Sequence, residues 1–256
     1  MTNCIFDVGE AAESLTRFLR EASIVTGFTG AGISTECGVP DFRSPGSPWM
    51  VNKPIPYSAF VASQEARNEA WRRKFTMDDT YAGAKPAAGH AALHALFSSG
   101  KMPLLITQNI DGLHQASGVP SEAVIELHGN GTYAKCLDCG ARHELNAIRP
   151  RFEADGFAPE CVQCGGILKS ATVSFGQAMP ALEMKRAVEA TLACDLFIAI
   201  GSSLVVFPAA GLPKVAHENG AKLVIINREV TTLDPIADMV IRADIAEVLS
   251  RVETQR

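Results

Sequence analysis

The 256-residue sequence has no unbroken apolar run long enough to cross a bilayer. Its most apolar window, Leu196 to Leu212, is interrupted by Gly201-Ser202-Ser203 and by Pro208, so it reads as strand and turn. No basic segment precedes an apolar stretch near the N-terminus, and no secretory leader is read there. There is no excess of positive charge. Twenty-eight acidic against 23 basic residues leave a net charge of −5, which argues against a general nucleic-acid-binding surface and suits a basic peptide as partner. Internal repeats and low-complexity tracts are also missing. The seven cysteines follow no pairing pattern except one doubled C-x-x-C set, and without a leader metal binding is favoured over disulfides. The expectation is a cytoplasmic monomer with no membrane partner and no specific nucleic-acid partner.

What is present is ample core material, with 47% hydrophobic residues. Asp7 to Ala22 places Val8, Ala11, Leu15, Phe18, Leu19 and Ala22 at helical spacing. Ser23 to Thr29 reads as a buried strand, and a proline-rich passage after it (Pro45, Pro48, Pro54, Pro56) breaks regular structure. Phe60 to Phe75 reads as one helix carrying Trp71 and Phe75, with Arg72, Arg73 and Lys74 beside them. Further apolar runs at Met102–Thr107, Val124–Leu127, Asp195–Ile200 and Leu223–Ile226 end in small or polar residues, with helices expected between them, as over Ala181–Thr191. That alternation predicts an α/β fold, a Rossmann-type parallel sheet with helices on both faces. Met239–Ile241 is expected at the sheet edge, and Ile245–Val252 as a closing helix.

Several groups of residues carry chemistry. The first buried strand opens onto Gly30-Ala31-Gly32-Ile33-Ser34, a glycine turn of the kind that lets backbone approach a phosphate. The dinucleotide pattern G-x-G-x-x-G is incomplete, because Thr35 stands where the third glycine would be. Gln108-Asn109-Ile110-Asp111 follows another strand. These residues either face a ligand or form an Asx turn with Asp111 capping the next helix. His128 follows the short run Val124–Leu127, and a lone histidine there is usually structural. His90 and His94 are four apart, but Ala91 takes the place of a metalloprotease glutamate, so they read as one packed and one half-exposed histidine. Cys136, Cys139, Cys161 and Cys164 form C-x2-C-x21-C-x2-C, the spacing of a tetrahedral Cys4 zinc site. Four thiolates leave no open coordination position, so the zinc is structural. The segment Gly140–Glu160 between the knuckles looks polar and poor in core residues, so metal is expected to supply much of that lobe's stability.

Taken in order, the motifs Gly30-Ala31-Gly32-Ile33-Ser34, Pro40-Asp41-Phe42-Arg43, Lys85-Pro86 before His90, Gln108-Asn109-Ile110-Asp111, His128-Gly129, the four cysteines, Phe175-Gly176, Gly201-Ser202-Ser203 and Asn227-Arg228-Glu229 resemble those of the sirtuins, the NAD-dependent protein deacylases. The resemblance runs over nearly the whole chain. It implies a Rossmann-type NAD-binding domain (1–46, 86–134, 171–256) and a small lobe built from a helical insert (47–85) and a zinc module (135–170). It also implies NAD as co-substrate, one structural Zn2+, and an acyl-lysine protein or peptide as substrate. His128 would be the general base on a ribose hydroxyl, with Asn109 and Asp111 orienting the nicotinamide and Ser34 and Ile110 nearby. Gly30, Ala31, Gly32, Asp41, Phe42, Arg43, Trp49 and Gln108 would line the cofactor loop and its surroundings. Gly201, Ser202 and Ser203 would approach the phosphates and adenosine ribose, Asn227, Arg228 and Glu229 the hydroxyls, and Ile245 the adenine. Val173, Phe175, Gly176, Leu204 and Val205 would form the two edges between which a peptide adds as a strand. The family's Phe-Gly-Glu is Phe-Gly-Gln here, with Gln177.

Desuccinylating members carry a Tyr-x-x-Arg pair in the insert, whereas Trp71, Arg72, Arg73 and Lys74 occupy that region here. The insert more closely resembles the class II branch, which implies a preference for acyl groups other than acetyl. An NAD hydrolase or mono-ADP-ribosyltransferase would use the same cofactor residues and is the alternative. A nicotinamide-linked dehydrogenase leaves His128 and the zinc knuckles unexplained. A non-enzymatic module leaves His128, Asn109 and Asp111 without a role.

Overall fold

The structure, a computed structural model, describes residues 3–41, 47 and 53–253. The main sheet is built from β1 (Asn3–Ile5), β2 (Val25–Thr29), β3 (Leu104–Thr107), β4 (Val124–Glu126), β8 (Leu196–Ile200), β9 (Lys222–Ile226) and β10 (Met239–Ile241). A second sheet contains β5 (Gly129–Cys136), β6 (Arg142–Glu144) and β7 (Leu168–Thr172). The seven main strands run in the order β1-β10-β9-β8-β2-β3-β4, and every pair among them is parallel.

Strand alternation explains why both faces are covered. Leu196, Ile198 and Ile200 of β8 pack into one core with Leu15 and Leu19 of helix Val8–Glu21, Leu93 and Leu96 of helix Ala88–Ser98, and Val248 and Leu249 of helix Ile245–Ser250. Phe197 and Ala199 point the other way, into a core with Ala187 and Ala190 of helix Ala181–Ala193 and with Leu212 and Ala216. A strand buried on both faces reads as an unbroken apolar run, which is how these strands looked in sequence. Helix Val8–Glu21 starts where Asp7 accepts a hydrogen bond from the Glu10 N–H, 2.9 Å.

From β2 the chain builds outward through β3 and β4, whereas β8, β9 and β10 extend from the other side of β2. The switch point, where open α/β sheets bind ligands beyond the strand ends, therefore lies between β2 and β8. Both strands end there in glycine, Gly30 and Gly201.

The small lobe couples the antiparallel sheet β6-β5-β7 to the insert. Trp71, 2% exposed, stacks on Phe75 at 5.5 Å between ring centres and donates its indole N–H to the Leu168 carbonyl at 3.3 Å. Phe75 meets Phe152 at 5.6 Å.

Three expectations are corrected. Met239–Ile241 is not an edge strand, because Asn3–Ile5 pairs outside it and takes the edge. The expected helix Phe60–Phe75 is two helices, Tyr57–Ala62 and Gln64–Thr80. Ser63 between them is extended (φ −127°, ψ 128°) and caps the second through the Ala66 N–H. The segment between the zinc knuckles is not poor in core. Helix Leu145–Asp155 buries Ile148 and Phe152 against Trp71, Phe75 and Leu168, so apolar packing contributes to that lobe along with the metal. Among the described residues no helix is long and apolar enough to cross a membrane.

Candidate active site and zinc centre

At the switch point the two loops interlock. The Gly30 N–H donates to the Ile200 carbonyl and the Gly32 N–H to the Gly201 carbonyl, each at 2.9 Å. A Cβ on Gly32 would lie 2.7 Å from Gly201 Cα, and one on Gly201 would lie 2.5 Å from the Ile33 nitrogen. Gly201 also has φ +63°, in the left-handed region. The sequence reading assigned these glycine N–H groups to a phosphate. The structure uses them to lock β2 and β8 together, which leaves a floor without side chains beside the cleft.

That cleft, about 760 Å³, is lined by Gly30, Ala31, Gly32, Asp41, Gln108, Asn109, Ile110 and His128, by Gly201, Ser202 and Ser203, and by Asn227, Arg228, Glu229 and Ile245. Val173, Phe175 and Gly176 line it as well. The structure thus brings most of the sequence-selected positions to one cavity. Ser34 is fully buried behind the wall. Asp111 faces a smaller neighbouring cavity of about 250 Å³, where Ile110 also appears. Leu204 (φ +53°) is buried in the core and Val205 is exposed; Val206 and Phe207 line the cleft beside them. Phe42, Arg43 and Trp49 lie outside the described residues.

His128 sits just past β4, immediately before β5. Its Nδ1 lies 3.0 Å from the Gln108 carbonyl oxygen. A carbonyl only accepts, so Nδ1 carries the proton and Nε2 is left as the basic nitrogen. Burial pushes the imidazole below its ordinary pKa, and the Gln108 carbonyl partly offsets this. The ring is therefore neutral at physiological pH, as a general base requires. The His128 carbonyl accepts from the Val173 N–H at 2.8 Å, which ties the histidine to the strand end carrying Phe175. Phe175 is 61% exposed.

Asn109 donates its amide to the Gly30 carbonyl and to Ser34 Oγ, both at 3.2 Å, while Ser34 Oγ donates to Asp111 Oδ2 at 2.8 Å. Asp111 Oδ1 accepts from the Leu113 N–H at 2.9 Å. Asp111 thus makes the expected Asx turn before the short helix Leu113–Ala116 with one oxygen, while its other oxygen accepts from Ser34. Gln108 Nε2 donates to Ser202 Oγ at 2.7 Å, linking the loops after β3 and β8.

Sequence reasoning missed several supports. The Arg242 guanidinium donates to the carbonyls of Asn227 and Glu229 at 2.6 and 2.7 Å and pairs with Asp234, holding the loop after β9. Lys169, 4% exposed, lines the cleft, donates to the Thr172 carbonyl, and is pushed down to about 8 by burial. The reading of His90 and His94 as one packed and one half-exposed histidine holds, with His90 buried and His94 half-buried, whereas the burial of His114 beside His90 was not read. A lone residue outside any spacing pattern carries no signal of this kind; only the packing shows it.

The four cysteines converge. Cys136 Sγ lies 3.5 Å from Cys164 Sγ, Cys139 Sγ lies 3.7 Å from Cys161 Sγ, and all four ligand atoms fall within 4.8 Å of one another. A disulfide is about 2.05 Å long, whereas four thiolates about 2.3 Å from a tetrahedral zinc are separated by about 3.8 Å. The geometry fits one zinc ion. Each knuckle closes on a left-handed glycine: Gly140 N–H bonds the Cys136 carbonyl at 3.1 Å, and Gly165 N–H bonds the Cys161 carbonyl at 2.8 Å.

A family model described as the Sir2 family matches residues 30–208. A Bradyrhizobium diazoefficiens protein named NAD-dependent protein deacetylase 1 is 59% identical over 243 residues, 95% of each chain. A Rhodopseudomonas palustris protein named NAD-dependent protein deacetylase is 59% identical over 242 residues, 94% of this chain and 96% of that protein. Among solved structures, one described as Sir2-p53 peptide-NAD+ superposes with a TM-score of 0.84 at 33% identity, covering 93% of this chain and 95% of the other.

Proposed function

The chain belongs to the Sir2 family, and from that premise we propose that it is an NAD-dependent protein deacylase acting on acyl-lysine in proteins or peptides. The observation that carries this is the convergence on one cleft of the glycine floor, Asn109, a neutral His128 whose Nε2 carries no proton, and the segment Val173–Gly176 just past β7, where Phe175 and Gly176 are exposed. Bound NAD supplies a nicotinamide–ribose bond whose cleavage leaves a ribose carbon able to take the acyl oxygen. His128 Nε2 receives the proton of a ribose hydroxyl. Asn109 and Asp111, held through Ser34, orient the carboxamide, with Ile110 beside them. Gly30, Ala31, Gly32, Asp41 and Gln108 complete that wall, joined by Phe42, Arg43 and Trp49 on the sequence assignment. Gly201, Ser202, Ser203, Asn227, Arg228, Glu229 and Ile245 take the phosphates and adenosine. Val173, Phe175, Gly176, Leu204 and Val205 flank the peptide. Zinc on Cys136, Cys139, Cys161 and Cys164 stabilises the small lobe without touching the reaction. The NAD-binding domain spans 1–46, 86–134 and 171–256, with the insert over 47–85 and the zinc module over 135–170.

The finer reading is a class II type enzyme that prefers acyl groups longer than acetyl. The cleft also takes in Ile55, Phe60 and Met77, apolar side chains suited to a longer acyl chain. Mono-ADP-ribosyl transfer or NAD hydrolysis would use the same wall. The names of the relatives at 59% identity favour deacylation. Turnover of acetyl, succinyl and longer acyl peptides with NAD, with products resolved by mass, tests both levels. O-acyl-ADP-ribose is the expected product; fastest turnover on acetyl refutes the acyl preference, and NAD loss without deacylation refutes the function.

A further inference from the structure

We propose that His90 and His114 act as one positioning unit that fixes Asn109 from behind the cleft wall, His114 through the backbone and His90 through the side chain. The two rings meet at 5.0 Å between centroids, tilted by 49°, and both residues are essentially inaccessible to solvent. From His114 the chain of contacts runs from Nε2 to Thr29 Oγ1 at 2.8 Å, on to Thr107 Oγ1 at 2.8 Å, and so to the Asn109 N–H, which donates to Thr107 Oγ1 at 3.0 Å. From His90 it runs from Nε2 to Ser34 Oγ at 3.5 Å, and Ser34 Oγ in turn accepts from the Asn109 side-chain amide at 3.2 Å and donates to Asp111.

Every link is dry. Thr29 and Ser34 are fully buried and Thr107 is 2% exposed, so no water substitutes for a missing partner. Burial holds both imidazoles neutral. Among the described residues His114 Nδ1 has no hydrogen-bond partner, a cost a merely structural side chain would not need to carry, since phenylalanine would fill the space without it. Among the described residues His90 Nδ1 has one weak contact, to Cys37 Sγ 3.8 Å away. The consequence is that Asn109 cannot rotate or shift without breaking a buried network at both ends. A residue that must meet a carboxamide in one orientation needs that restraint.

The inference rests on the proposed function, because it assumes that Asn109 faces nicotinamide. The test uses the full chain with zinc bound and compares His114→Phe, His114→Gln and Thr29→Val. Thr29→Val cuts the same link while leaving both rings in place. His114→Phe and Thr29→Val are expected to lower kcat about tenfold, the worth of one buried hydrogen bond, and to weaken nicotinamide inhibition by a similar factor. The KM for acyl peptide should stay within about twofold. His114→Gln, which can still bond Thr29, should recover most of the loss. Independently of turnover, hydrogen exchange at the Asn109 amide should quicken about tenfold in His114→Phe and return in His114→Gln. Unchanged Asn109 exchange overturns the inference. So does a loss spread equally over kcat and peptide KM with no recovery in His114→Gln. Should the unmodified protein consume no NAD, the proposed function fails, while the exchange measurement still decides the positioning claim.

Discussion

Replacing Gly201 by alanine should damage this protein far more than the same change at another left-handed glycine. Gly201 (φ +63°) and Gly83 (φ +81°) both ask an alanine to adopt a conformation that costs about 1–2 kcal/mol. At Gly83 nothing lies within 4 Å of the added methyl, so that is the whole effect. At Gly201 the methyl would sit 2.5 Å from the Ile33 nitrogen and 2.7 Å from the Gly32 carbonyl carbon, backbone atoms that cannot turn aside. Relief requires β2 and β8 to part at their ends, an overpacking cost of about 1–3 kcal/mol on top. The total of about 2–5 kcal/mol corresponds to a fall of about 4–20 °C in Tm for a chain of this size, against about 2–8 °C for Gly83→Ala. The assay is thermal unfolding of both variants with and without NAD. NAD should raise Tm for the unmodified protein and for Gly83→Ala by mass action, and much less for Gly201→Ala, whose cleft floor has moved. Equal losses in the two variants, or full NAD stabilisation of Gly201→Ala, would refute the claim that this close approach builds the cofactor site.

Further expectations concern the small lobe and the buried histidines. Trp71→Ala should cost about 3–5 kcal/mol by denaturant unfolding, because it empties the centre of the lobe core and frees the Leu168 carbonyl, and Trp71→Phe should cost less. Cys161→Ser should lower metal content and activity together while leaving the far-ultraviolet signal of the main sheet largely intact; activity without bound zinc would contradict the structural role. Burial lowers the pKa of His90, His114 (to about 3) and His128, so the unfolded chain binds more protons than the folded one below the ordinary value of 6.5. Stability contributed by these neutral rings is present above pH 6.5 and is lost as pH falls below it. Asp111 beside His90 favours its charged form but does not outweigh burial. The Tm difference between the unmodified protein and His114→Gln should therefore shrink between pH 7 and pH 5; a constant difference would contradict it. By the same sign, kcat/KM should fall on the acid side as His128 Nε2 takes up a proton.

How much of this was legible in the sequence follows from the physics of each part. Strands buried on both faces announce themselves as apolar runs, and the residues that end them, Gly30, Gln108, His128, Gly201 and Asn227, fall at strand ends by construction. The cysteine spacing encodes its geometry almost completely, because two knuckles admit few arrangements around one metal. Asn3–Ile5 was missed because three residues show no period, and its pairing partner lies more than 230 residues away. Helix Leu145–Asp155 was hidden by Pro150 within it and by its polar surface, although Ile148 and Phe152, four apart, were the available signal. The split at Ser63 was marked by the serine itself, a preferred N-cap residue inside an otherwise helical pattern. The pairing of His90 with His114 has no sequence signal, because it arises only when helix Ala88–Ser98 and the turn after β3 bring the two rings together.

The most direct test of the account is stoichiometry. With an acyl-lysine peptide and NAD, the nicotinamide released, the lysine freed and the O-acyl-ADP-ribose formed should be equimolar, and His128→Ala should reduce all three together by about a hundredfold or more. Lysine freed without NAD consumed, or His128→Ala retaining full turnover, would contradict it.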